Sequence, residues 1–345
     1  MKLLKFFNSI SQKRSMKLKI SPSIEKMLRK AHYGIFNHST VQICHWTKKS
    51  LNDEGECYKN KFYGIETHRC MEFSPAGAFC EMRCIFCWRF SEFMKTLEMK
   101  EEEVDEPKEL IEGLLKERKR LLSGFKGSHK VNLKKLEECS IPSHFAISLS
   151  GEPTLYPKLP KLIRYLKSLH STKSIFLVTN GQEPEMLEKL EKEDSLPTQL
   201  YLSVNAPNKE LFKKICCPLL KDAWERFNKS LEFVSRAKCR TVLRLTMIKG
   251  LNFYSEKLAK EYAKLIEKAN PHFVEIKSYM HVGFSTKRLK QENMLTMEEI
   301  RFFAKKLEEL LPNFKIMDEH IPSLIVVLQN KERLVDRWII KPKTQ

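Results

Sequence analysis

Cysteine is the residue type whose spacing points most directly to chemistry in this sequence. Six of the ten cysteines lie between residues 44 and 87, in two groups of three. The first triplet has two equal intervals of thirteen residues and consists of Cys44, Cys57 and Cys70. The second triplet follows the pattern C-x3-C-x2-C and consists of Cys80, Cys84 and Cys87. Clustered cysteines in a long chain indicate metal binding more often than a disulfide framework.

Three thiolates on one short loop favour a [4Fe-4S] cluster over a single metal ion. They hold three irons and leave the fourth open to a substrate or cosubstrate. A structural zinc site would need a fourth ligand, which His45 or His68 would have to supply. A zinc-stabilised RNA-binding protein without catalytic activity is therefore the alternative from a different functional class.

The segments that would position these cysteines alternate between short apolar strands and amphipathic helices, as in parallel βαβ units. The predicted strands are residues 70–74, 145–150, 175–180, 200–205, 242–248 and 273–279. Six parallel strands predict an α/β fold, a partial (βα)6 TIM-like barrel with function at the carboxyl ends of the strands. A further apolar segment, 323–330, is predicted to pair at an edge of the sheet.

Helices are predicted between and after these strands, and the chain is divided accordingly. The clearest helical patterns are residues 107–122, 184–193 and 297–311, and the charged segment 96–108 has the composition of a linker. The predicted domains are a basic N-terminal extension (1–40), the barrel with the first-triplet segment 44–70 (41–335) and a C-terminal tail (336–345).

Polar residues stand where three consecutive predicted strands end. They are Ser150, Gly151 and Glu152, then Thr179 and Asn180, then Ser203 and Asn205. Taken singly, each is typical of a turn or a helix N-cap. Because the carboxyl ends of parallel strands meet at one end of a barrel, we interpret the seven together as a shelf for a cosubstrate, where Gly151 would let the backbone approach a ligand closely.

The charge of the chain favours a polyanionic partner. The formal net charge is +19, and residues 1–50 hold eleven Lys and Arg against the single acid Glu25. Nucleic acid is the first candidate for such a partner. Phosphate contacts are predicted for residues 1–30 and for the basic segment 116–130. The first apolar residues are too few for a signal peptide or a membrane span, so a cytoplasmic location is expected, with a transit peptide as the alternative that the basic, acid-poor start leaves open.

The motifs together resemble one known family. C-x3-C-x2-C with an aromatic residue before the last cysteine, here Phe86, is the signature of the radical S-adenosylmethionine (SAM) superfamily. The run YGIETHRCMEFSPAGAFCEMRCIFCWRF resembles the tRNA wybutosine-synthesising radical SAM enzymes, the 4-demethylwyosine synthases, as do SLSGEPTLYP, VTNGQ and LYLSVNAPNKELFKKICCP. The resemblance extends over residues 30–335.

This resemblance implies a barrel of the radical SAM type, SAM as cosubstrate and a [4Fe-4S] cluster at each triplet. It also implies a reaction, the condensation of N1-methylguanosine at position 37 of tRNA-Phe with carbons C2 and C3 of pyruvate. The chain is similar to the short form of the family without a flavodoxin-like domain, so we expect a separate electron-donor protein. We also expect a monomer. Another two-cluster radical SAM enzyme that acts on a small molecule or a peptide is the alternative within this chemistry.

The resemblance further implies that pyruvate forms a Schiff base with Lys59, two residues after the middle cysteine of the first triplet. Burial beside a cluster would favour the neutral amine that such a reaction needs. Lys61 is the nearest competitor. Several aromatic residues near the cysteines are candidates for stacking on an unstacked base, although core packing explains them equally well. They are Trp46, Tyr58, Phe62, Tyr63 and Trp88.

Overall fold

Six parallel strands form the centre of a ten-stranded sheet in the computed structural model, which describes residues 17–94, 98–253 and 255–341. The strands are β1 (Tyr33–Phe36), β2 (Ser39–Gln42), β3 (Cys70–Ser74), β4 (His144–Ile147), β5 (Ser174–Thr179), β6 (Gln199–Ser203), β7 (Arg240–Met247), β8 (Phe273–Ser278), β9 (Phe314–His320) and β10 (Ile325–Asn330). Their order is β1-β2-β3-β4-β5-β6-β7-β8-β10-β9, and β3 to β8 are parallel. The predicted six-stranded partial barrel is confirmed.

The described residues form eleven helices, of which the fourth to the tenth connect each parallel strand to the next. They are α1 (Pro22–Lys30), α2 (His45–Leu51), α3 (Tyr58–Tyr63), α4 (Pro107–Leu122), α5 (Leu133–Cys139), α6 (Leu159–Ser168), α7 (Pro184–Lys192), α8 (Lys209–Cys216), α9 (Ala223–Arg236), α10 (Glu256–Ala269) and α11 (Met297–Leu310). The three clearest helical patterns correspond to α4, α7 and α11. None of the helices in the described parts of the chain is long and apolar enough to cross a bilayer.

Two antiparallel strands, β1 and β2, extend the sheet beyond β3 and were not predicted. Each is only four residues long, too short for apolar alternation to give a signal. The predicted boundary at residue 40 falls inside β2, so this hairpin is continuous with the barrel sheet. Residues 1–16 of the predicted basic extension lie outside the described ranges.

The prediction that segment 323–330 pairs at an edge is wrong. Strand β10 in this segment pairs with β8 on one side and with β9 on the other, both antiparallel, and β9 is the outer strand. Of the seven residues of β9, only Phe314 is buried. A strand without alternating apolar residues carries no pattern that sequence reasoning can detect.

The basic segment 116–130 covers the end of α4 and the turn that leads to α5 and then to β4. Because helix α4 runs back from the end of β3 toward the start of β4, this segment lies near the amino ends of the strands, away from the predicted shelf. Arg118 is 1% exposed, and its Nη2 lies 3.1 Å from the Sγ of Cys139. The predicted phosphate contact is therefore wrong for Arg118.

The sheet separates two sets of side chains. On β7, Leu243 and Leu245 pack under the outer helices in the main hydrophobic cluster. The alternate residue Val242 faces the other way and packs with Tyr201 and Phe273, in a second cluster that includes the apolar residues of α3. Helix α3 therefore fills part of the barrel interior.

Closer to the carboxyl ends of β6, β7 and β8, the inner face becomes polar. Ser203 pairs with Arg244 in the strand register, and Thr246 pairs with Lys277. All four of these residues are only partly buried. A polar, accessible interior above an apolar layer is the arrangement that places reactive groups inside a barrel.

Candidate active site

The two cysteine triplets lie toward opposite ends of strand β3. Cys70 begins β3, and Cys80 follows the last residue of the strand, Ser74, by six positions. A five-residue strand spans roughly 13 Å between its first and last Cα atoms. At the far end, Nδ2 of Asn180, which follows β5, lies 3.8 Å from the Sγ of Cys80. The interior of the barrel therefore separates the first triplet from the second.

All six cysteines are free and half-buried. Within the described ranges, no three His, Cys, Asp or Glu side chains converge closely enough to hold a single metal ion. Ligands of a four-iron cluster bind different irons and therefore stand farther apart than ligands of one ion. Two sets of three soft thiol donors fit iron-sulfur clusters by their chemistry.

Burial raises the pKa of these thiols. Burial, together with a smaller effect of neighbouring thiols, raises the pKa of Cys57 to about 12 and that of Cys87 to about 11. A hydrogen bond with Cys216 and burial also hold the pKa of Cys84 well above its usual range. Thiolates form here only when a positively charged group takes the place of the protons, so these cysteines suit metal binding better than free thiolate chemistry.

The backbone of the second-triplet loop is held by two other parts of the chain. The N–H of Ile85 donates to the carbonyl of Ile215 at 2.9 Å, at the end of α8. From the segment after β8, Arg288 donates through Nε to the carbonyl of Ile85 at 3.0 Å and through Nη2 to the carbonyl of Cys87. The spacing of the three thiols is therefore set by the packed barrel and not by the loop alone.

Two of the predicted shelf residues fix this loop from the side of β4. The hydroxyl of Ser150 donates to the carbonyl of Gly77 at 2.8 Å. Gly151 has a φ of 68°, and a Cβ there would lie 1.9 Å from the carbonyl oxygen of Ala76. The close approach that the structure shows at Gly151 is to the backbone before the second triplet.

Glu152 is the centre of the shelf. Its carboxylate accepts hydrogen bonds from the hydroxyls of Thr154 (2.6 Å) and Thr179 (2.8 Å) and from the backbone N–H of Asn180 (2.8 Å). Burial raises its pKa. Glu81, next to the second triplet, lies close enough that burial and the Glu152 carboxylate raise the pKa of Glu81 to about 8. The structure thus brings β4 and β5 together here as predicted.

The remaining shelf residues lie at the same end of the barrel. Asn205 is 6% exposed, Ser203 is partly buried at the end of β6, and Phe86 packs partly buried within the second-triplet loop. Among the described residues, no hydrogen-bond partner reaches Oδ1 of Asn205 or Oε1 of Glu81, although both atoms are buried. Buried acceptors without donors are costly, and a bound group with donors, such as the amino group of SAM, would satisfy them.

Lys59 lies inside the barrel, on helix α3. It is 8% exposed, and its Nζ lies 4.4 Å from the ring centroid of Phe176 and 5.2 Å from that of Tyr201. No hydrogen-bond acceptor or carboxylate of the described residues reaches this amine. An amine on aromatic faces, without an acceptor, is available for reaction with a carbonyl.

Lys61 is placed very differently. It is exposed, and its Nζ lies 3.0 Å from Oδ1 of Asp318 and donates to the carbonyl of Glu319 at 2.6 Å. The two lysines therefore point to different sides of α3. Only Lys59 faces the interior.

A buried polar network holds α3 to the barrel wall. Arg244 donates to Oε2 of Glu275 through Nε (3.0 Å) and Nη2 (2.9 Å), and its Nη2 also donates to the hydroxyl of Tyr58 (2.6 Å). The hydroxyls of Tyr63 and Tyr201 donate to Oε1 of Glu275 at 2.9 and 3.1 Å. Both ends of α3 are thus bonded to β7 and β8 through one ion pair.

A second interior lysine, Lys277, was missed by sequence reasoning. It lies on β8, and its Nζ donates to the carbonyl of Ser323. Burial, with a contribution from the positive charge of Arg244, lowers the pKa of Lys277 to about 8. The signal was present in the sequence: in FVEIKS, Phe273, Glu275 and Lys277 alternate with apolar residues, which places charged groups on the face opposite the helix-covered one.

The aromatic candidates divide by exposure. Phe62 and Tyr63 are completely buried, so the interpretation that these two stack on a base is wrong. Tyr58 is 8% exposed, and its hydroxyl accepts a hydrogen bond from Arg244. Trp46 is partly buried, with its ring 5.2 Å from that of His320. Trp88 is 45% exposed.

Comparison with known proteins gives close relatives. Residues 74–262 match the radical SAM superfamily and residues 268–330 match the family of wyosine base formation. The S-adenosyl-L-methionine-dependent tRNA 4-demethylwyosine synthase of Pyrococcus abyssi is 45% identical over 310 residues, covering 90% of this chain and 89% of that protein. The enzyme of the same name from Methanocaldococcus jannaschii is 40% identical, covering 92% and 99%.

Solved structures agree with this relationship. The structure of TYW1 with a lysine-pyruvate adduct bound has a TM-score of 0.81 and 38% identity and covers 92% of this chain and 99% of its own. The crystal structure of archaeal TYW1 has a TM-score of 0.74 and 34% identity with the same coverage. The chain belongs to the radical SAM superfamily and, within it, to the family of S-adenosyl-L-methionine-dependent tRNA 4-demethylwyosine synthases.

Proposed function

We propose that this chain condenses carbons C2 and C3 of pyruvate with N1-methylguanosine at position 37 of tRNA-Phe, to form the tricyclic base 4-demethylwyosine. Its membership of the family supports the reaction, and the lysine-pyruvate adduct in a solved relative supports pyruvate as the second substrate. The observation that carries the proposal is the amine of Lys59, which is buried inside the barrel with no acceptor among the described residues.

As a radical SAM protein, the chain uses SAM and a [4Fe-4S] cluster. We assign this cluster to the second triplet, Cys80, Cys84 and Cys87, and a second [4Fe-4S] cluster to the first triplet, Cys44, Cys57 and Cys70. When bound at the second triplet and given one electron by a separate donor, SAM and the cluster there would supply a 5′-deoxyadenosyl radical. The half-buried free thiols of both triplets support the assignment.

The shelf residues are proposed to hold SAM in two ways. Phe86, Glu152, Asn180, Ser203 and Asn205 are the proposed contacts, because they line the end of the barrel that carries the second triplet and include a buried acceptor without a donor. Ser150, Gly151 and Thr179 act indirectly. Their hydrogen bonds and close packing fix the loop before the second triplet and the carboxylate of Glu152.

The proposed role of Lys59 is to bind pyruvate covalently. Its amine adds to the ketone carbon of pyruvate, and loss of water gives an imine, which keeps C2 electrophilic toward the guanine amine and fixes the methyl carbon in place. The rings of Phe176 and Tyr201 beside the amine exclude water, and water would otherwise hydrolyse the imine. Helix α3 holds the amine toward the interior through Tyr58 and Tyr63.

Borohydride reduction in the presence of labelled pyruvate tests this role. We expect the label on the peptide that contains Lys59 and on the side chain of Lys59 when the peptide is sequenced. Lys59→Ala should lose both the label and the tricyclic product while it retains iron and tRNA affinity.

The matched control is Lys61→Ala, which removes a neighbouring lysine on the outer side of the same helix. This variant should keep the label and the product. Label on Lys61 or on Lys277, or normal product formation by Lys59→Ala, contradicts the assignment.

A further inference from the structure

The segment after β8 folds over the second-triplet loop and fixes a set of aromatic side chains at the surface. The N–H of Phe284 donates to the carbonyl of Trp88 at 3.0 Å. Gly283 has a φ of 59°, and a Cβ there would lie 2.3 Å from the same carbonyl oxygen. With the bonds from Arg288 to the loop carbonyls, these contacts make the surface beside the second triplet rigid.

Three aromatic side chains at this surface, Trp88, Phe93 and Phe284, form what we call the aromatic platform. Phe93 is 50% exposed, and its ring lies 6.3 Å from that of Phe284 in an edge-to-face arrangement. Three large aromatic side chains are exposed in the described ranges: Trp88, Phe93 and Phe302. Two of them belong to the platform. Exposed aromatic groups that cluster beside an active site mark a binding surface more often than chance exposure does.

Two cations lie against the platform. The guanidinium carbon of Arg89 is 3.4 Å from the ring centroid of Trp88, and Nζ of Lys287 is 4.9 Å from that of Phe284. Arg89 is itself buried, at 5% exposure. Its Nη1 donates to Oε1 of Gln42 at 3.0 Å and its Nη2 lies 3.6 Å from Oε1 of Glu72, so its charge is paired and its position under Trp88 is fixed. The platform cation that is open to a phosphate is Lys287. Lys287 is exposed. Flat aromatic faces next to positive charge are the surface that single-stranded nucleic acids use for base stacking and phosphate contact.

We infer that the aromatic platform stacks on an unpaired base of the tRNA anticodon loop that flanks the guanosine under modification. This inference rests on the proposed function. A guanine that reaches the interior of the barrel has left the base stack, so its neighbour in the loop loses a stacking partner. The platform begins at Trp88, directly after the last cysteine of the second triplet, where that neighbour would lie.

A redox protein that donates the electron is the other class of partner that an exposed surface beside a cluster could bind. The chemistry favours RNA, because the platform joins flat rings with positive charge on a chain of net charge +19. A protein partner would be expected to bind a broader apolar surface than these few rings.

The test replaces Phe93 and Phe284 singly with leucine, which keeps apolar volume and removes the flat ring. The RNA is the anticodon stem-loop of tRNA-Phe with 2-aminopurine at the nucleotide on one or the other side of the target guanosine. The wild-type protein should quench one of the two probes, and both variants should lose that quenching and bind the RNA about tenfold more weakly. Phe302→Leu, on α11, is the matched control and should behave as the wild type.

A thermodynamic cycle isolates the stacking contact. An abasic site at the quenched nucleotide should weaken binding by the wild-type protein, and Phe284→Leu should weaken it no further. Additive losses would overturn the inference. Iron content and SAM cleavage with a chemical reductant, unchanged in both variants, show that the second-triplet loop is intact.

The remaining outcomes separate this inference from the proposed function. If the wild-type protein makes the tricyclic base and the leucine variants bind RNA normally, the platform assignment alone is wrong. If the variants lose SAM cleavage only when a protein supplies the electron, the platform binds a redox partner and the inference is overturned. If the wild-type protein neither binds nor modifies the tRNA, both fail.

Discussion

Two buried amines face the interior of the barrel, and their surroundings give them different properties. The amine of Lys59 lies over two aromatic rings and has no acceptor among the described residues. The amine of Lys277 donates to the carbonyl of Ser323, and the positive charge of Arg244 contributes to lowering its pKa. A lone amine suits covalent capture of a ketone. An amine fixed by a hydrogen bond at the end of β8 suits a charge that stays in place.

The pH dependence of stability provides a test of the environment of Lys277. Burial lowers its pKa from 10.5 in the unfolded chain to about 8 in the folded protein. Between these values the unfolded chain binds the additional proton, so the free energy of unfolding should rise with pH through this window, by at most about 3 kcal/mol. Below about pH 8 both states carry the charge.

Denaturant unfolding of the metal-free protein on both sides of this window measures the effect. Lys277→Met should lack the rise that the wild type shows, whereas Lys61→Met, which changes an exposed lysine on α3, should keep it. Identical pH profiles for the wild type and Lys277→Met would show that Lys277 is not buried in the charged form near neutral pH.

At the scale of elements, α3 has only six residues and is too short to be stable alone. Contacts from three parts of the chain hold it. Glu275 bonds Tyr63 near its end, Arg244 bonds Tyr58 at its start, and the N–H of Ile339 donates to the carbonyl of Tyr63 at 2.9 Å. The orientation of Lys59 therefore depends on strands far away in sequence.

Glu275→Gln tests this dependence. The change leaves the buried Arg244 without its carboxylate, which should destabilise the fold by about 3 kcal/mol and reduce borohydride-trapped pyruvate on Lys59 at equal iron content. Glu319→Gln breaks an exposed pair with Arg301 and should cost less than about 1 kcal/mol without changing the trapped label. A full yield of label in Glu275→Gln would show that the ion pair stabilises the barrel without positioning Lys59.

Sequence reasoning succeeded for the elements that carry their own pattern. The six barrel strands are apolar runs between amphipathic helices, so the local sequence alone indicates that they are buried. Strand β3, for example, matches its predicted bounds at Cys70 and Ser74. Sequence reasoning failed where burial depends on distant partners. Nothing near Glu275 in sequence shows that Arg244 will neutralise it, and nothing in β9 shows that this strand will pair with β10 and form the edge of the sheet.

At the scale of the whole molecule, the barrel sheet places the two cysteine triplets on opposite sides of the barrel interior. The loop with the second triplet is fixed to the end of the barrel by α8 and Arg288, and the first triplet is connected to α3 inside it. A radical formed at the second triplet and a pyruvate imine formed on Lys59 would then meet in the interior between the two triplets. The reaction therefore requires both triplets but gives each a different task.

Replacement of one cysteine from each triplet distinguishes these tasks. Cys84→Ala should abolish SAM cleavage, because two thiols and a buried methyl group cannot retain the cluster that the reaction with SAM requires. Cys57→Ala should retain part of the uncoupled release of 5′-deoxyadenosine and form no tricyclic base, since only the pyruvate side of the interior is disturbed. Both variants are to be reconstituted anaerobically and compared at measured iron content, with Cys239→Ala, on the far side of the sheet from α3, as the control for loss of a cysteine outside both triplets. Complete loss of SAM cleavage in a Cys57→Ala protein that has kept the second-triplet cluster would show that the two triplets do not act separately, and that the first triplet takes part in generating the radical.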